Sequence, residues 1–358
     1  MTVIIFLIVL SILVFVHEFG HFWVAKKKGL KVEEFGFGFP PRLFGIKRGE
    51  TIYSLNLIPF GGFVKIFGED GGEKNDPRSF SSRPPGTRSL IAVAGVVMNF
   101  LLAMVLLVVG NFSGLRIGVD EKFPGTAKDL KIQIIQVADG SPAASAGIKA
   151  LDEVLEISFQ QEKIIPSKVE DIQEFVKKHL GKEVGIKIKR NNEELSFRVL
   201  ARREPPPGQG SLGISLAKTG VVSYPWHQAI LNGIKDSFLL FANTVYAFGL
   251  FFKSFFVQSK VLGDVAGPIG IAVLTGQAAG LGLSYLLQFI ALLSVNLAVL
   301  NLIPFPALDG GRILLYAIEK ARGVPLSRRT EGFINAAGFI FLLALMFYVT
   351  VKDVIKFF

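Results

Sequence analysis

The chain of 358 residues has no cysteine and only four histidines. Without cysteine, no disulfide can brace an exported segment and no thiolate can hold a metal, so any bound metal must rely on imidazole and carboxylate. Charge is scarce as well: 19% of residues are Asp, Glu, Lys or Arg, against 50% apolar, and the mean hydropathy is +0.48. A soluble core of this size does not hide so much apolar surface, which makes this a membrane protein in contact with lipid. The net charge of +10 is the balance expected of a nucleic-acid binder. Here, however, Lys and Arg flank apolar stretches instead of forming one basic, aromatic-studded domain. Nucleic acid is therefore excluded as a partner, and the basic excess is a topology signal.

Apolar runs of the length that crosses a bilayer as helix, roughly 20 residues, occupy 3–25, 90–111, 283–303 and 333–351. The expected fold is a polytopic α-helical membrane protein with four transmembrane helices. No Lys or Arg precedes the first run, and Lys26, Lys27 and Lys28 follow it. That pattern argues against a secretory signal peptide and sets the amino terminus outside the cell. A cytoplasmic loop then covers 26–88. Within it, 52–58 and 63–67 read as short β-runs around the Pro59-Phe60-Gly61-Gly62 turn, a membrane-associated hairpin. Gly36-Phe37-Gly38-Phe39-Pro40-Pro41 cannot be helix, and 71–85 has the composition of a surface loop.

After the second span (89–112), the segment 113–204 has the composition of a small α/β domain, outside the cytoplasm. Alternating runs at 131–137, 184–189 and 195–200 predict strands, and 168–179 predicts a helix. Pro205-Pro206-Pro207-Gly208 opens a linker over 205–282. Its stretch 229–257 is apolar but carries Lys235, Asp236 and Lys253. A fifth crossing there would put Asp309 on the opposite side from the first span's motif, so 229–257 is expected to be an interfacial or partly embedded helix. The third span lies in 283–325 and the fourth in 326–358.

His17-Glu18-Phe19-Gly20-His21 fits H-E-x-x-H, which stacks two imidazoles one helical turn apart. Two such groups can bind one Zn²⁺, and the Glu between them can take a proton from an activated water. Three ionisable groups within five residues of an apolar helix are costly unless paired, wet or metal-bound. The alternative is a helix end whose polar groups reach water. A third ligand has to be a carboxylate, because His179 lies in the expected external domain and His227 just before the expected interfacial helix. The candidates are Asp309 and Glu319. Asp309 follows a Pro- and Gly-broken stretch, tolerated at membrane depth only where it lines a cavity. Glu319 continues a regular helical run beside Lys320 and Arg322, as an interfacial ion-pair residue would.

With these motifs in place, the chain resembles the site-2 proteases, and among them the bacterial regulator-of-sigma-E protease branch with a single PDZ domain. The likeness rests on H-E-x-x-H, on Asn301-Leu302-Ile303-Pro304-Phe305-Pro306-Ala307-Leu308-Asp309-Gly310, on Gly267-Pro268-Ile269-Gly270, and on the PDZ-like run from Gly140 to Ile148. It implies a zinc endopeptidase of the bacterial cytoplasmic membrane, with His17, His21 and Asp309 as ligands and Glu18 as general base. Its substrates would be single-span membrane proteins, such as anti-sigma factors or signal-peptide remnants, already cut by an upstream site-1-type protease. The resemblance also brings Asn301, Asn99 and the hairpin residues Gly61, Gly62 and Phe63 to the substrate. A β-edge there would hold an unwound substrate extended. The plainer readings are a helix-helix hydrogen bond for Asn301 and a hairpin lying on the membrane surface.

The chain departs from that pattern in two places. Val96 stands where relatives carry Pro in G-P-x-x-N, and Leu151 stands where a PDZ domain usually has Gly before the Asp. Ser211-Leu212-Gly213-Ile214 is either an edge strand of the domain or linker. Two other functions compete: an ion-relaying transporter and a membrane-anchored PDZ adaptor. The spans show no inverted repeat, which disfavours the first, and the second has no use for Glu18.

Overall fold

The computed structural model describes residues 1–73, 75–120, 123, 126–190, 193–258, 266–324 and 327–357. The part of the expected linker at 259–265 lies outside the described residues. The chain divides into two compact units, one made of Met1–Val109 with Ile230–Phe358 and the other of Gly110–Ala229.

The first unit is mainly helical. Helix α1 covers Thr2–Lys27, and its last turn carries Lys26 and Lys27, which suit the negative end of the helix dipole. A β-hairpin and a loop follow. Helix α2, Pro85–Ser113, begins with proline, whose missing N–H and fixed φ suit a first turn. After the second unit come α5 (Trp226–Gln258), α6 (Pro268–Leu281), α7 (Leu283–Leu302), α8 (Asp309–Arg322) and α9 (Arg328–Phe357).

By length and hydropathy, five described helices, α1, α2, α5, α7 and α9, could cross a bilayer, where sequence reading gave four. The added one is α5. Its charges Lys235, Asp236 and Lys253 sit toward the two ends of a continuous helix and leave the stretch between them free of charge. The parity argument against a crossing turns on where α7 begins. Gly276 of α6 packs on Thr2, and Gly270 N–H donates to Asp353 near the end of α9 at 2.7 Å. Thr2 lies 15 residues before His17, about 22 Å along a helix. Helix α6 thus lies at the far end of α1, and α7 runs from there toward Asp309.

The hairpin is larger than its predicted core. Strand β1 is Val32–Arg48 and β2 is Thr51–Ile66. Phe35 lies opposite both Tyr53 and Val64, Gly36 opposite Ser54 and Phe63, and Phe37 opposite Leu55 and Gly62. The first part of β1 is therefore held between the two arms of β2, which fold around the predicted Pro59–Gly62 turn. Sequence reading missed β1 because its pattern is broken by Gly36, Gly38, Pro40 and Pro41. The segment 62–66 forms the outer edge of this arrangement.

The second unit is an antiparallel sheet in the order β3-β9-β4-β5-β7-β8, with β6 paired to β5. Its strands are β3 (Leu115–Gly118), β4 (Lys128–Val137), β5 (Glu153–Phe159), β6 (Glu162–Ile164), β7 (Glu183–Arg190), β8 (Glu193–Leu200) and β9 (Ile214–Val222). Alternation in β7 buries Val184, Ile186 and Ile188 against Ile172, Phe175 and Val176 of α4, Val169–Lys178. The one-turn helix α3, Pro142–Ser145, is capped by the Ser141 side chain, which accepts from Ala144 N–H. Ser211–Ile214 leads directly into β9, a strand inside the sheet, so the unit extends past residue 204. Leu151 adopts φ +72°, the left-handed conformation that glycine takes at no steric cost. Buried Asp152 next to it accepts Lys149 N–H at 2.8 Å and pairs with Arg190 at 2.7 Å.

Candidate active site

The site is built from helix termini and crossings. His17 and His21 are four residues apart on α1, buried, with their rings edge to face at 4.8 Å. Asp309 is the first residue of α8, where the unpaired N–H groups of a first turn favour a carboxylate. The stretch leading to it turns sharply. Ala307 takes φ +73°, and its N–H donates to Asn335 Oδ1 of α9 at 3.3 Å. Gly310 and Gly311 lie so close to the carbonyls of Leu302, Ile303 and Phe305 that no Cβ fits, which accounts for the Asp-Gly-Gly sequence.

Asp309 Oδ2 stands 3.0 Å from His17 Nε2 and 3.4 Å from His21 Nε2. The two Nε2 atoms are 3.1 Å apart. Zinc ligands at their usual bond lengths and tetrahedral angles lie about 3.3 Å from one another, so the triangle has the size of a ligand set. Asp309 Oδ2 is also buried with no hydrogen-bond partner. Two imidazole nitrogens facing an unpartnered carboxylate oxygen require a shared cation or proton between them. The donor set therefore fits zinc. Glu319, the other carboxylate considered, is paired with Arg88 of α2 away from this triangle.

His17, Glu18 and His21 bring their ligand atoms within 4.8 Å of each other. All three line a cavity of about 600 Å³, together with Asp309, Asn301 and Phe63. The remaining expected substrate residues lie elsewhere. Gly61 and Gly62 pack on Val14 and Phe15 of α1. Asn99 is wholly buried with its Nδ2 3.2 Å from His17 Nδ1, behind the imidazole and outside the cavity lining.

Sequence reading missed what supports these side chains. His21 Nδ1 faces the Ile91 carbonyl of α2 at 2.8 Å. A Cβ at Gly95 would come within 2.6 Å of His17 Cε1 and of His21 Nε2, so only glycine leaves room for the imidazoles where α1 and α2 cross. Asn335 and the Arg312–Glu69 ion pair on the cavity wall carry no sequence motif. For Gly95 and Asn99 a signal existed: four residues apart, they share a helix face, as His17 and His21 do.

A family model described as peptidase family M50 matches residues 5–345. A candidate zinc metalloprotease of Clostridium perfringens is 38% identical over 99% of this chain and 99% of its own length. The zinc metalloprotease RasP of Shouchella clausii is 30% identical over 100% of this chain and 99% of its own. The regulator of sigma-W protease RasP of Bacillus subtilis is 29% identical, with the same coverage. The chain thus belongs to peptidase family M50: it is a multi-pass membrane zinc metalloprotease whose H-E-x-x-H group is His17, Glu18 and His21.

Proposed function

We propose that this protease performs regulated intramembrane proteolysis, hydrolysing a peptide bond in or beside the membrane segment of a single-span protein after an earlier protease has removed most of its external part. The observation that carries this reading is the 3.0–3.4 Å triangle of His17, His21 and Asp309, which joins the first span to the break after α7. The Bacillus subtilis relative is named for regulation of sigma-W, which supports anti-sigma-factor-like substrates. Signal-peptide remnants have the same single-span chemistry.

In this reading His17, His21 and Asp309 hold the metal. When bound there, zinc polarises the scissile carbonyl and makes water a nucleophile near neutral pH. Glu18, on the cavity wall beside both imidazoles, takes the proton of the attacking water and gives it to the leaving amine. Asn301, on the same wall, hydrogen-bonds the substrate backbone. A helical substrate shields its amides, so the scissile stretch must unwind, and the edge of 62–66 next to Phe63 is suited to hold it as an added strand. Lys26, Lys27 and Lys28 orient the site and hairpin toward the cytoplasm of a bacterial cell, leaving the sheet unit outside.

That unit acts as a PDZ-like domain. The Ile214–Leu216 end of β9 faces Ile172 and Val176 of α4, and Leu180 just after it, across a cavity of about 570 Å³. A groove between a strand and an apolar helix face suits an extended peptide end, such as the carboxyl terminus left by the first cut.

The deciding experiment replaces Glu18 with Gln. The variant is expected to keep its zinc and to lose about 10²- to 10⁴-fold in cleavage of a single-span reporter. Wild-type cleavage by this variant would remove Glu18 from the chemistry. Ion flux lost along with unchanged cleavage would favour a transporter, and substrate binding without any cleavage by the wild type would favour an adaptor.

A further inference from the structure

Both imidazoles must present an Nε2 lone pair to the same point, and the histidine tautomer decides whether they do. For His21 the choice is made by the backbone: its Nδ1 is 2.8 Å from the Ile91 carbonyl. A carbonyl only accepts, so the proton is on Nδ1 and Nε2 is free. For His17 the group at Nδ1 is the Asn99 carboxamide, 3.2 Å away. With Nδ2 toward the ring, Asn99 donates to Nδ1, and the ring's own proton is pushed to Nε2, where the metal belongs. In that orientation Asn99 Oδ1 is left buried with no partner. A half-turn of the carboxamide exchanges two groups that differ only in their hydrogens. It sets Oδ1 against Nδ1–H and frees Nε2.

We infer that Asn99 is the positioning residue for His17: its carboxamide accepts the Nδ1–H hydrogen bond and holds the tautomer that can ligate zinc. The inference rests on the proposed ligand set and names the group that sets one ligand's orientation. Its surroundings fit the task. Asn99 is wholly buried, and its backbone carbonyl accepts from Ser294 Oγ of α7 at 2.8 Å, tying α2 to α7 behind the metal site. Gly95, one turn earlier, leaves the space into which the two rings extend. Metal-ligating imidazoles characteristically give their other N–H to such a partner. A carboxamide serves either tautomer by turning over, so it accommodates the ring both before and after the metal arrives.

The test uses the full-length protein in detergent, with zinc as the probe and a chromogenic chelator as competitor. Asn99→Leu, close in size but without a hydrogen bond, is expected to weaken zinc binding about 10- to 100-fold. Asn99→Asp, an acceptor, is expected to restore it to near wild type. With only four histidines in the chain, ¹⁵N-histidine spectra of the zinc-loaded wild type should also show His17 protonated at Nδ1, a readout that needs no variant to fold. Wild-type zinc affinity in Asn99→Leu with a raised KM would make Asn99 a substrate contact and overturn the inference. So would a zinc-loaded His17 protonated at Nε2. If His17→Ala kept full zinc affinity, the ligand set itself would be wrong, an outcome distinct from either.

Discussion

At the scale of single residues, the site depends on what α2 omits as much as on what α1 supplies. Gly95 lies where a methyl group would overlap both imidazoles. Gly95→Ala is therefore expected to abolish zinc retention while leaving helical content unchanged, measured as bound zinc beside far-UV circular dichroism. A stoichiometrically loaded Gly95→Ala protein would contradict the crossing described for α1 and α2. Leu151 is the opposite case, a side chain where glycine is favoured. At φ +72° it bears a left-handed cost of about 1–2 kcal/mol, partly offset by glycine's greater freedom in the unfolded chain. Leu151→Gly should stabilise the sheet unit by up to about 1 kcal/mol, read as a raised denaturation midpoint, and a lower midpoint would show that the Leu151 side chain contributes more packing than its backbone costs. Sequence reading flagged Leu151 as a departure from a pattern, and the backbone angle explains why the pattern calls for glycine.

At the scale of elements, the two halves of the proposed ligand set are held very differently. His17 and His21 are carried by one continuous helix, so their spacing alone puts them together. Asp309 sits after a break, and its position relies on Asn335 of α9 catching the Ala307 N–H. Asn335→Leu would leave that N–H without its partner, a cost of about 1–3 kcal/mol if it stays dry. The expected result is faster zinc loss to a chelator, with Glu18 and both histidines untouched. Zinc release at the wild-type rate would mean that the Pro304 and Pro306 turn holds Asp309 unaided. The hairpin follows a similar division. Its β2 turn was legible from Pro59-Phe60-Gly61-Gly62, but the insertion of β1 between the two arms was not, because glycines and prolines hide the alternation of β1.

At the scale of the whole molecule, the open question in the sequence was how many times the chain crosses the lipid. Helix α5 packs on α2 through Phe238 and Phe241 against Phe100, and through Gly233 against Val108. Leu231 and Val257, both exposed, lie 26 residues apart on it, about 39 Å along a helix and more than a hydrocarbon core is thick. Because the chain has no native cysteine, single cysteines at these positions can be labelled cleanly. Reaction from opposite faces of sealed vesicles is expected for a spanning α5, whereas reaction of both from one face would return α5 to the membrane surface.

The sequence alone determined what depends on near neighbours. Apolar runs set the long helices, the i, i+4 spacing put two imidazoles on one face, and the prolines and glycines around Asp309 marked a break that only a cavity tolerates. Tertiary structure decided which distant groups meet: Asp309 with the histidines, Gly95 and Asn99 behind them, Asn335 under the loop, and α6 with the far ends of α1 and α9. The reason is physical. Periodicity records which face of an element is buried, but the partner that buries it is chosen by packing between elements far apart in the chain, and no local pattern encodes that choice.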